Sequence, residues 1–259
     1  MGSKHIVFIH GMWSGDWTFE AYEEFFSNHG YSCHRPILRY HNDVEPSPAQ
    51  KAALGRTSIH DYAEDLEAFI NTLDSKPILI GHSMGGLLAQ ILAAKGLAEK
   101  AVLICPAAPA GVHGLTLSVV RSFLGVMSKW GFWHSPNKIS FNAAKYALLN
   151  KIEPSQQKAL YDQLCYESGK AAFEIGFWLV DPNKSTKADL NNIDCPILMV
   201  SGEDDHITPA VINKKNTQLL LDYKLDVIHK IYPNHAHWLL AEPGWEDIAN
   251  DISQWLSER

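Results

Sequence analysis

The chain has 259 residues, of which 46% are hydrophobic and 20% charged, and 22 Lys and Arg against 29 Asp and Glu give a formal net charge of −7. This composition excludes intrinsic disorder as the main state, because there is ample apolar material for a buried core. The negative balance argues against a nucleic-acid backbone or an anionic membrane as the main partner, since both attract basic surfaces.

Short apolar runs alternate with helical patterns over the first part of the chain. Uninterrupted Ile/Val/Leu runs predict buried strands, and apolar residues spaced three or four apart predict helices. We predict strands at 6–9, 77–80 and 101–105, a second strand within 31–38, and helices at 17–28, 59–73 and 86–95. The helix at 59 has a capping-box-like start in Ser58 and Asp61. Residues 39–57 contain prolines and a glycine, and we expect a loop there.

The last part of the chain repeats this alternation, with strands predicted at 196–202 and 225–232 and a closing helix at 244–256. Six such strands separated by helices predict an α/β fold with a mostly parallel central sheet that helices cover on both faces. Residues 107–189 interrupt the pattern, because they contain helix-like segments rich in aromatic residues and no good strand run. We therefore predict a helical cap at 107–189, inserted into a core made of 1–106 and 190–259.

Four cysteines, Cys33, Cys105, Cys165 and Cys195, are scattered without the paired spacing of a metal site. We interpret them as reduced thiols and expect a cytoplasmic protein. The first strand begins only a few residues after Met1, which leaves no room for a cleavable signal peptide. No run of about 18 apolar residues occurs, so we predict no transmembrane helix and no stable membrane anchor.

The most informative motif lies at the junction of a predicted strand and a predicted helix. It is Gly81-His82-Ser83-Met84-Gly85, which has the pattern G-x-S-x-G. A sharp turn there lifts the serine hydroxyl out at the carboxyl edge of the sheet, and the glycines leave room for the turn. The N-terminus of the following helix favours negative charge that develops beside the serine. The alternative interpretation is a helix N-cap serine with glycines that serve packing.

This junction resembles the nucleophile turn of the α/β-hydrolase family, and the resemblance covers nearly the whole chain. Members of the family place an acidic residue and then a histidine after the serine in chain order. Their pattern G-x-x-D-x-x-x-P is matched by residues 202–209 and implies Asp205 as the acid. Their late histidine, followed by an aromatic and an acidic residue, is matched by residues 236–242 and implies His237 as the base.

The residue types suit the chemistry that the resemblance implies. A serine hydroxyl is a weak nucleophile and needs an adjacent base, which His237 would supply to Ser83. Asp205 would hold the imidazole in the correct tautomer and stabilise its protonated form. Two neighbours remain as alternatives: Asp204 could be the acid and His235 the base, although the motif spacing favours Asp205 and His237.

The oxyanion of such a reaction needs two backbone N–H donors. The residue after the nucleophile, Met84, is expected to supply one of them. The loop after the first strand looks like the family's His-Gly-x loop, which implies Met12 as the other donor. We expect the substrate to contact Trp13, His82, Trp130 and Trp133.

The resemblance implies a serine hydrolase that cleaves a small to medium-sized apolar carboxylic ester through an acyl-enzyme. No nucleotide-binding or HExxH metal pattern occurs, so we expect a small-molecule ester as partner, with no cofactor, no catalytic metal and no nucleic acid. One alternative is a lyase or cofactor-free oxygenase on the same scaffold, with Lys129 or Lys145 as a charged pocket group. Another is a non-catalytic ligand-binding receptor. The oligomeric state stays open.

Overall fold

The computed structural model describes residues 4–259 of the chain. Residues 1–3, part of the start in which we predict no signal peptide, lie outside the described residues. The strands are β1 (His5–Ile9), β2 (Ser32–His34), β3 (Ile78–His82), β4 (Lys100–Ile104), β5 (Pro136–Asn137), β6 (Glu167–Ser168), β7 (Ile197–Gly202) and β8 (Val227–Tyr232). The α-helices are α1 (Glu20–Asn28), α2 (Pro48–Leu54), α3 (Ile59–Ile70), α4 (Met84–Ala93), α5 (Leu117–Met127), α6 (Phe141–Ala147), α7 (Pro154–Gln163), α8 (Gly169–Gly176), α9 (Ala210–Asp222) and α10 (Trp245–Glu258).

Six of the strands form one parallel sheet in the order β2-β1-β3-β4-β7-β8. This confirms the predicted sheet. The strands β1, β3, β4 and β7 are buried along their whole length, as expected of strands that helices cover on both faces. Phe8 of β1 packs on the face that α1 and α10 cover, whereas Val7 packs on the face that α3 and α4 cover. Each such fully buried side chain contributes about 1.5–3 kcal/mol.

Two predicted elements differ from the structure near the start of the chain. The second strand covers only Ser32–His34 of the predicted 31–38. The predicted loop at 39–57 contains α2, because Ser47 and Gln50 form a capping box and Pro48 occupies the first helical turn. The N–H groups of the first helical turn have no acceptor within the helix, so a proline there loses no hydrogen bond. It therefore favours a helix start and does not break the helix.

Residues 107–189, which we call the cap, contain α5 to α8 and a small antiparallel pair, β5 and β6, in which Asn137 lies opposite Glu167. We call this pair the cap hairpin. The chain leaves the sheet at the carboxyl end of β4 and re-enters it at the opposite edge, where the parallel strand β7 begins. Phe123 and Phe177 of the cap line the same cavity as Ser83, which follows β3, so this part of the cap lies at the carboxyl edge of the sheet.

All four cysteines are free, and three of them are buried. Among the helices of residues 4–259, none is both long enough and apolar enough to cross a bilayer. The cytoplasmic location stays a prediction.

Candidate active site

Ser83 stands at the turn between β3 and α4 with φ +57° and ψ −120°. This left-handed backbone is unusual for a residue with a Cβ and costs on the order of 1–3 kcal/mol. The glycines around it are required by close backbone approach: a Cβ at Gly85 would lie 2.0 Å from the carbonyl oxygen of Ile9, and one at Gly81 would lie 2.1 Å from that of Gly85. The turn therefore places the buried Ser83 side chain at the sheet edge, and no larger residue fits at the two glycine positions.

Asp205 lies in the loop after β7 and is 3% exposed. Its Oδ1 accepts the N–H groups of Ile207 and Thr208, each at 2.8 Å, and its Oδ2 accepts the Thr208 hydroxyl at 2.7 Å and His237 Nδ1 at 2.8 Å. Burial opposes the negative charge, but the adjacent His237 and these hydrogen bonds outweigh it and lower the pKa of Asp205 to about 2. Asp205 is therefore an ionised, fully hydrogen-bonded partner for His237.

His237 follows β8 and is 1% exposed. Because its Nδ1 faces a carboxylate oxygen, Nδ1 donates and Nε2 is left as the nitrogen that can accept a proton. Glu242 accepts the N–H of Ala236 at 2.8 Å and that of Trp238 at 3.0 Å, so it fixes the backbone on both sides of His237. These bonds explain physically why an acidic residue follows the histidine at this spacing.

The two alternative residues make other contacts. Asp204 pairs with Lys151 at 2.6 Å between Oδ2 and Nζ. His235 pairs with Glu242 at 3.2 Å between Nδ1 and Oε2. His235 does not line the cavity that contains Ser83 and His237, and the carboxylate bonded to His237 is that of Asp205. The geometry thus favours Asp205 and His237 over Asp204 and His235.

A cavity of about 270 Å³ lies between the sheet edge and the cap, and both Ser83 and His237 line it. Within the described residues its wall contains no Lys, Arg, Asp or Glu side chain, and aromatic and aliphatic groups predominate. The lyase candidates Lys129 and Lys145 do not lie on this wall. Such a cavity suits an uncharged, apolar ligand, because a buried charge would find no partner there.

Of the four residues expected to contact substrate, Trp13 and His82 line the cavity. Trp130 and Trp133 do not, which corrects the expectation for both. Trp130 follows the end of α5 and is 95% exposed, and Trp133 packs edge-to-face against it with ring centroids 5.3 Å apart. The aromatic wall that sequence reasoning missed consists of Phe123, Phe132, Phe177, Trp178 and Trp238.

The expected oxyanion donors lie on either side of Ser83. A Cβ at Gly11 would lie 2.8 Å from Ser83 Cβ, which shows how closely residues 10–14, here called the β1 loop, approach the serine. Met12 in this loop lines the cavity. Met84 is the first residue of α4, where an amide has no acceptor within the helix. The positions of both amides are compatible with a site for negative charge beside Ser83.

A model of the alpha/beta hydrolase family matches residues 6–249. The chain belongs to this family. It is 26% identical to a non-heme chloroperoxidase from Kitasatospora aureofaciens over 76% of this chain and 74% of that protein. It is 22% identical to a monoacylglycerol lipase from Mycolicibacterium smegmatis over 69% of this chain and 61% of that protein.

Solved structures of other proteins share the fold of this alpha/beta hydrolase. A monoacylglycerol lipase from Paleococcus ferrophilus superposes with a TM-score of 0.70 at 21% identity, covering 99% of this chain and 96% of that one. A methylesterase from Arabidopsis superposes with a TM-score of 0.69 at 14% identity, covering 99% of this chain and all (100%) of that one. At these identities the likeness establishes the fold.

Three buried side chains of this alpha/beta hydrolase could in principle approach one metal ion: the ligand atoms of Cys105, Asp205 and His237 lie within 4.8 Å of one another. Burial raises the pKa of the Cys105 thiol well above its ordinary value, so it stays protonated and is a poor ligand. The Asp205 oxygens are already occupied by four donors. The donor set therefore suits a hydrogen-bonded pair better than a metal centre.

Two other buried histidines of this alpha/beta hydrolase should make it sensitive to acid. Burial lowers the pKa of His10 and of His82 from 6.5 to about 3. The folded chain keeps both rings neutral, whereas the unfolded chain binds protons below pH 6.5, so stability is lost as the pH falls from 6.5 towards 3. Each ring contributes a slope of about 1.4 kcal/mol per pH unit, and together they should lower the free energy of unfolding by roughly 2–3 kcal/mol per unit.

Urea unfolding at pH 6, 5 and 4 measures this slope directly. His82→Gln removes one of the two rings and should reduce the slope by about 1.4 kcal/mol per pH unit, whatever its effect at neutral pH. A free energy of unfolding that is the same at pH 6 and pH 4 would show that these rings are not buried in the neutral form.

Proposed function

We propose that this protein is a serine hydrolase that cleaves a small to medium-sized, uncharged apolar carboxylic ester through an acyl-enzyme. One observation carries the proposal: Ser83 and His237 line the same apolar cavity, and His237 is bonded through Nδ1 to the buried Asp205. This leaves the other ring nitrogen for proton transfer in a site that excludes most water.

In the proposed reaction, His237 Nε2 takes the proton of the Ser83 hydroxyl as Oγ attacks the ester carbonyl carbon. The N–H groups of Met12 and Met84 stabilise the oxyanion that forms, and loss of one such donor typically costs about 3–4 kcal/mol. The protonated imidazole then gives its proton to the leaving alkoxide, and an acyl-Ser83 ester remains. A water molecule repeats the sequence and releases the acid. Asp205 stays ionised throughout and stabilises the imidazolium.

The substrate class rests on the wall of the cavity. A neutral ester with an apolar acyl or alkyl group fits the aliphatic and aromatic lining, whereas a charged substrate would lose its hydration without gaining a partner. The lipase and methylesterase among its relatives and structural neighbours are consistent with ester chemistry. A cavity of about 270 Å³ is suited to a ligand of modest size.

The test combines labelling with turnover. An aryl fluorophosphonate is incubated with the protein, and its intact mass is compared with that of Ser83→Ala; p-nitrophenyl esters from acetate to dodecanoate are then assayed. We expect one label on the protein, none on the variant, and a maximum of kcat/KM at a short or medium acyl chain. Labelling without turnover of any ester would favour a lyase or a receptor.

A second reaction is favoured by the 26% identity to the chloroperoxidase. If hydrogen peroxide replaces water as the acceptor of the acyl group, the acyl-Ser83 ester yields a peracid and free serine, and the peracid can oxidise halide in solution. Assays with p-nitrophenyl acetate as the acyl donor, hydrogen peroxide and bromide test this reaction. Bromination that persists in Ser83→Ala would contradict this route.

A further inference from the structure

Trp13 lies in the β1 loop beside Met12, and its backbone conformation is unfavourable unless contacts with other parts of the protein stabilise it. Its φ of +60° lies in the left-handed region, which a tryptophan rarely adopts. Such a conformation persists only where the surrounding structure over-determines it. The contacts that hold Trp13 therefore also restrain the β1 loop, in which Met12 is its chain neighbour.

Those contacts come from the cap, more than a hundred residues away in the chain. The indole Nε1 of Trp13 donates to Asn137 Oδ1 at 2.8 Å. The carbonyl of Trp13 accepts the N–H of Cys165 at 2.7 Å. Trp13 is 1% exposed and Asn137 4%, so water competes little for these bonds. Both the side chain and the backbone of Trp13 are thus fixed by the cap.

The orientation of Asn137 is itself fixed by the cap hairpin. Its Nδ2 donates to the carbonyl of Glu167 at 3.1 Å, and the two residues are opposite each other in the β5–β6 register. With the amide nitrogen held there, Oδ1 must face the indole. An alanine at this position would leave the indole N–H buried without an acceptor, which is costly.

The hairpin is joined to the core by a buried ion pair. Glu167 accepts the Tyr62 hydroxyl at 2.8 Å and its own neighbour's N–H, that of Ser168, at 2.5 Å, and its Oε2 lies 3.1 Å from His41 Nε2. His41 Nδ1 lies 3.0 Å from the carbonyl of Arg39, so both ring nitrogens of His41 face acceptors and the ring is an imidazolium. Burial opposes this charge, but Glu167 raises the pKa of His41 above its ordinary value. The contacts of Glu167 with His41 and Tyr62 therefore fix the cap hairpin on the core.

We propose that Asn137 is a positioning residue for the β1 loop: through the indole of Trp13 it aims the Met12 N–H at the oxyanion. This inference rests on the proposed function, because it concerns the transition state of that reaction. It means that the cap contributes to the rate of the chemical step and does more than select substrates.

Kinetics of Asn137→Ala with a p-nitrophenyl ester test the proposal. We expect kcat to fall about tenfold, less than for complete loss of an oxyanion donor, and KM to stay within about twofold because the cavity wall is intact. Trp13→Phe removes the same hydrogen bond from its other end, so the double variant should be no slower than the slower single one. Fully additive losses would overturn the proposal.

Gln157→Ala is the matched control. Gln157 is also a cap amide, but its Nε2 donates to the carbonyls of Leu149 and Ile152, both at 3.0 Å and both within the cap. Its replacement should leave kcat unchanged. If Gln157→Ala slowed turnover as much as Asn137→Ala, general loosening of the cap would explain the loss and the proposal would be wrong.

Amide hydrogen exchange separates this proposal from the proposed function, because it needs no turnover. In a Ser83→Ala background, we expect a peptide covering residues 10–16 to exchange at least tenfold faster with Asn137→Ala and at the parent rate with Gln157→Ala. Unchanged exchange in the Asn137 variant overturns the positioning role whatever the kinetics. Absence of ester turnover in the unmodified protein contradicts the proposed function alone, and the exchange result still decides the role of Asn137.

Discussion

Ser83→Ala should lower kcat for a p-nitrophenyl ester by about 10⁴-fold or more. The substitution deletes the atom that forms the proposed acyl-enzyme, and the remaining donors and base then act on water alone. Stability should change little, because Ser83 Oγ forms no hydrogen bond within residues 4–259, and the strained φ of +57° is retained with alanine. Steady-state kinetics with active-site titration and a thermal melt measure both effects.

Ser122→Ala is the matched control for that variant. Ser122 is also buried, but its hydroxyl donates to the carbonyl of Ser118 within α5 and it does not line the cavity. Turnover should be that of the unmodified protein. If Ser83→Ala kept more than about a tenth of the activity, the covalent mechanism would have to be abandoned, although the fold would stand.

His237→Ala should reduce kcat by a similar factor, whereas His235→Ala should keep it within about threefold. Removal of His237 leaves the Ser83 hydroxyl without a base and leaves the Asp205 carboxylate buried without its ring partner. Removal of His235 costs a partly exposed contact to Glu242, but the bonds of Glu242 to the backbone on both sides of His237 remain. The two substituted histidines are only two residues apart in the chain, so comparing the two variants tests directly which of them is the base.

The pH dependence of both variants sharpens this test. Activity of the unmodified protein should fall in acid, because a protonated imidazole cannot accept the serine proton. His235→Ala should keep that profile, and the residual rate of His237→Ala should lose it. A variant at position 235 that is inactive, with a normal melting temperature, would transfer the role of base to His235.

The central strands and the turn at Ser83 could be predicted because their causes are local. Strands buried on both faces need uninterrupted apolar runs, and β1, β3, β4 and β7 contain them. Gly81 and Gly85 mark the turn because the backbones there approach within distances that no Cβ allows. The loop predicted at 39–57 was wrong over Pro48–Leu54, although the cause there is also local: a proline in the first turn favours a helix and does not break it.

The cap is where sequence reasoning failed to assign individual residues. Trp130 and Phe123 are both aromatic residues of the same segment, yet one is 95% exposed and the other lines the cavity. Composition cannot distinguish them, because the difference depends on how α5, which contains Phe123, and the segment after it, which contains Trp130, pack against the core. The same holds for Asn137, whose sequence neighbours give no sign of its bond to Trp13.

By itself, the sequence determined the parallel sheet and the sharp turn at Ser83, and it contains the motif spacings on which the proposed roles of Asp205 and His237 rest, since each of these patterns lies in residues close together in the chain. The tertiary structure alone decided which side chains line the cavity and how the cap holds the β1 loop. The physical reason is that a hydrogen bond such as Trp13 to Asn137 joins residues 124 positions apart and exists only once the cap hairpin has docked on the core.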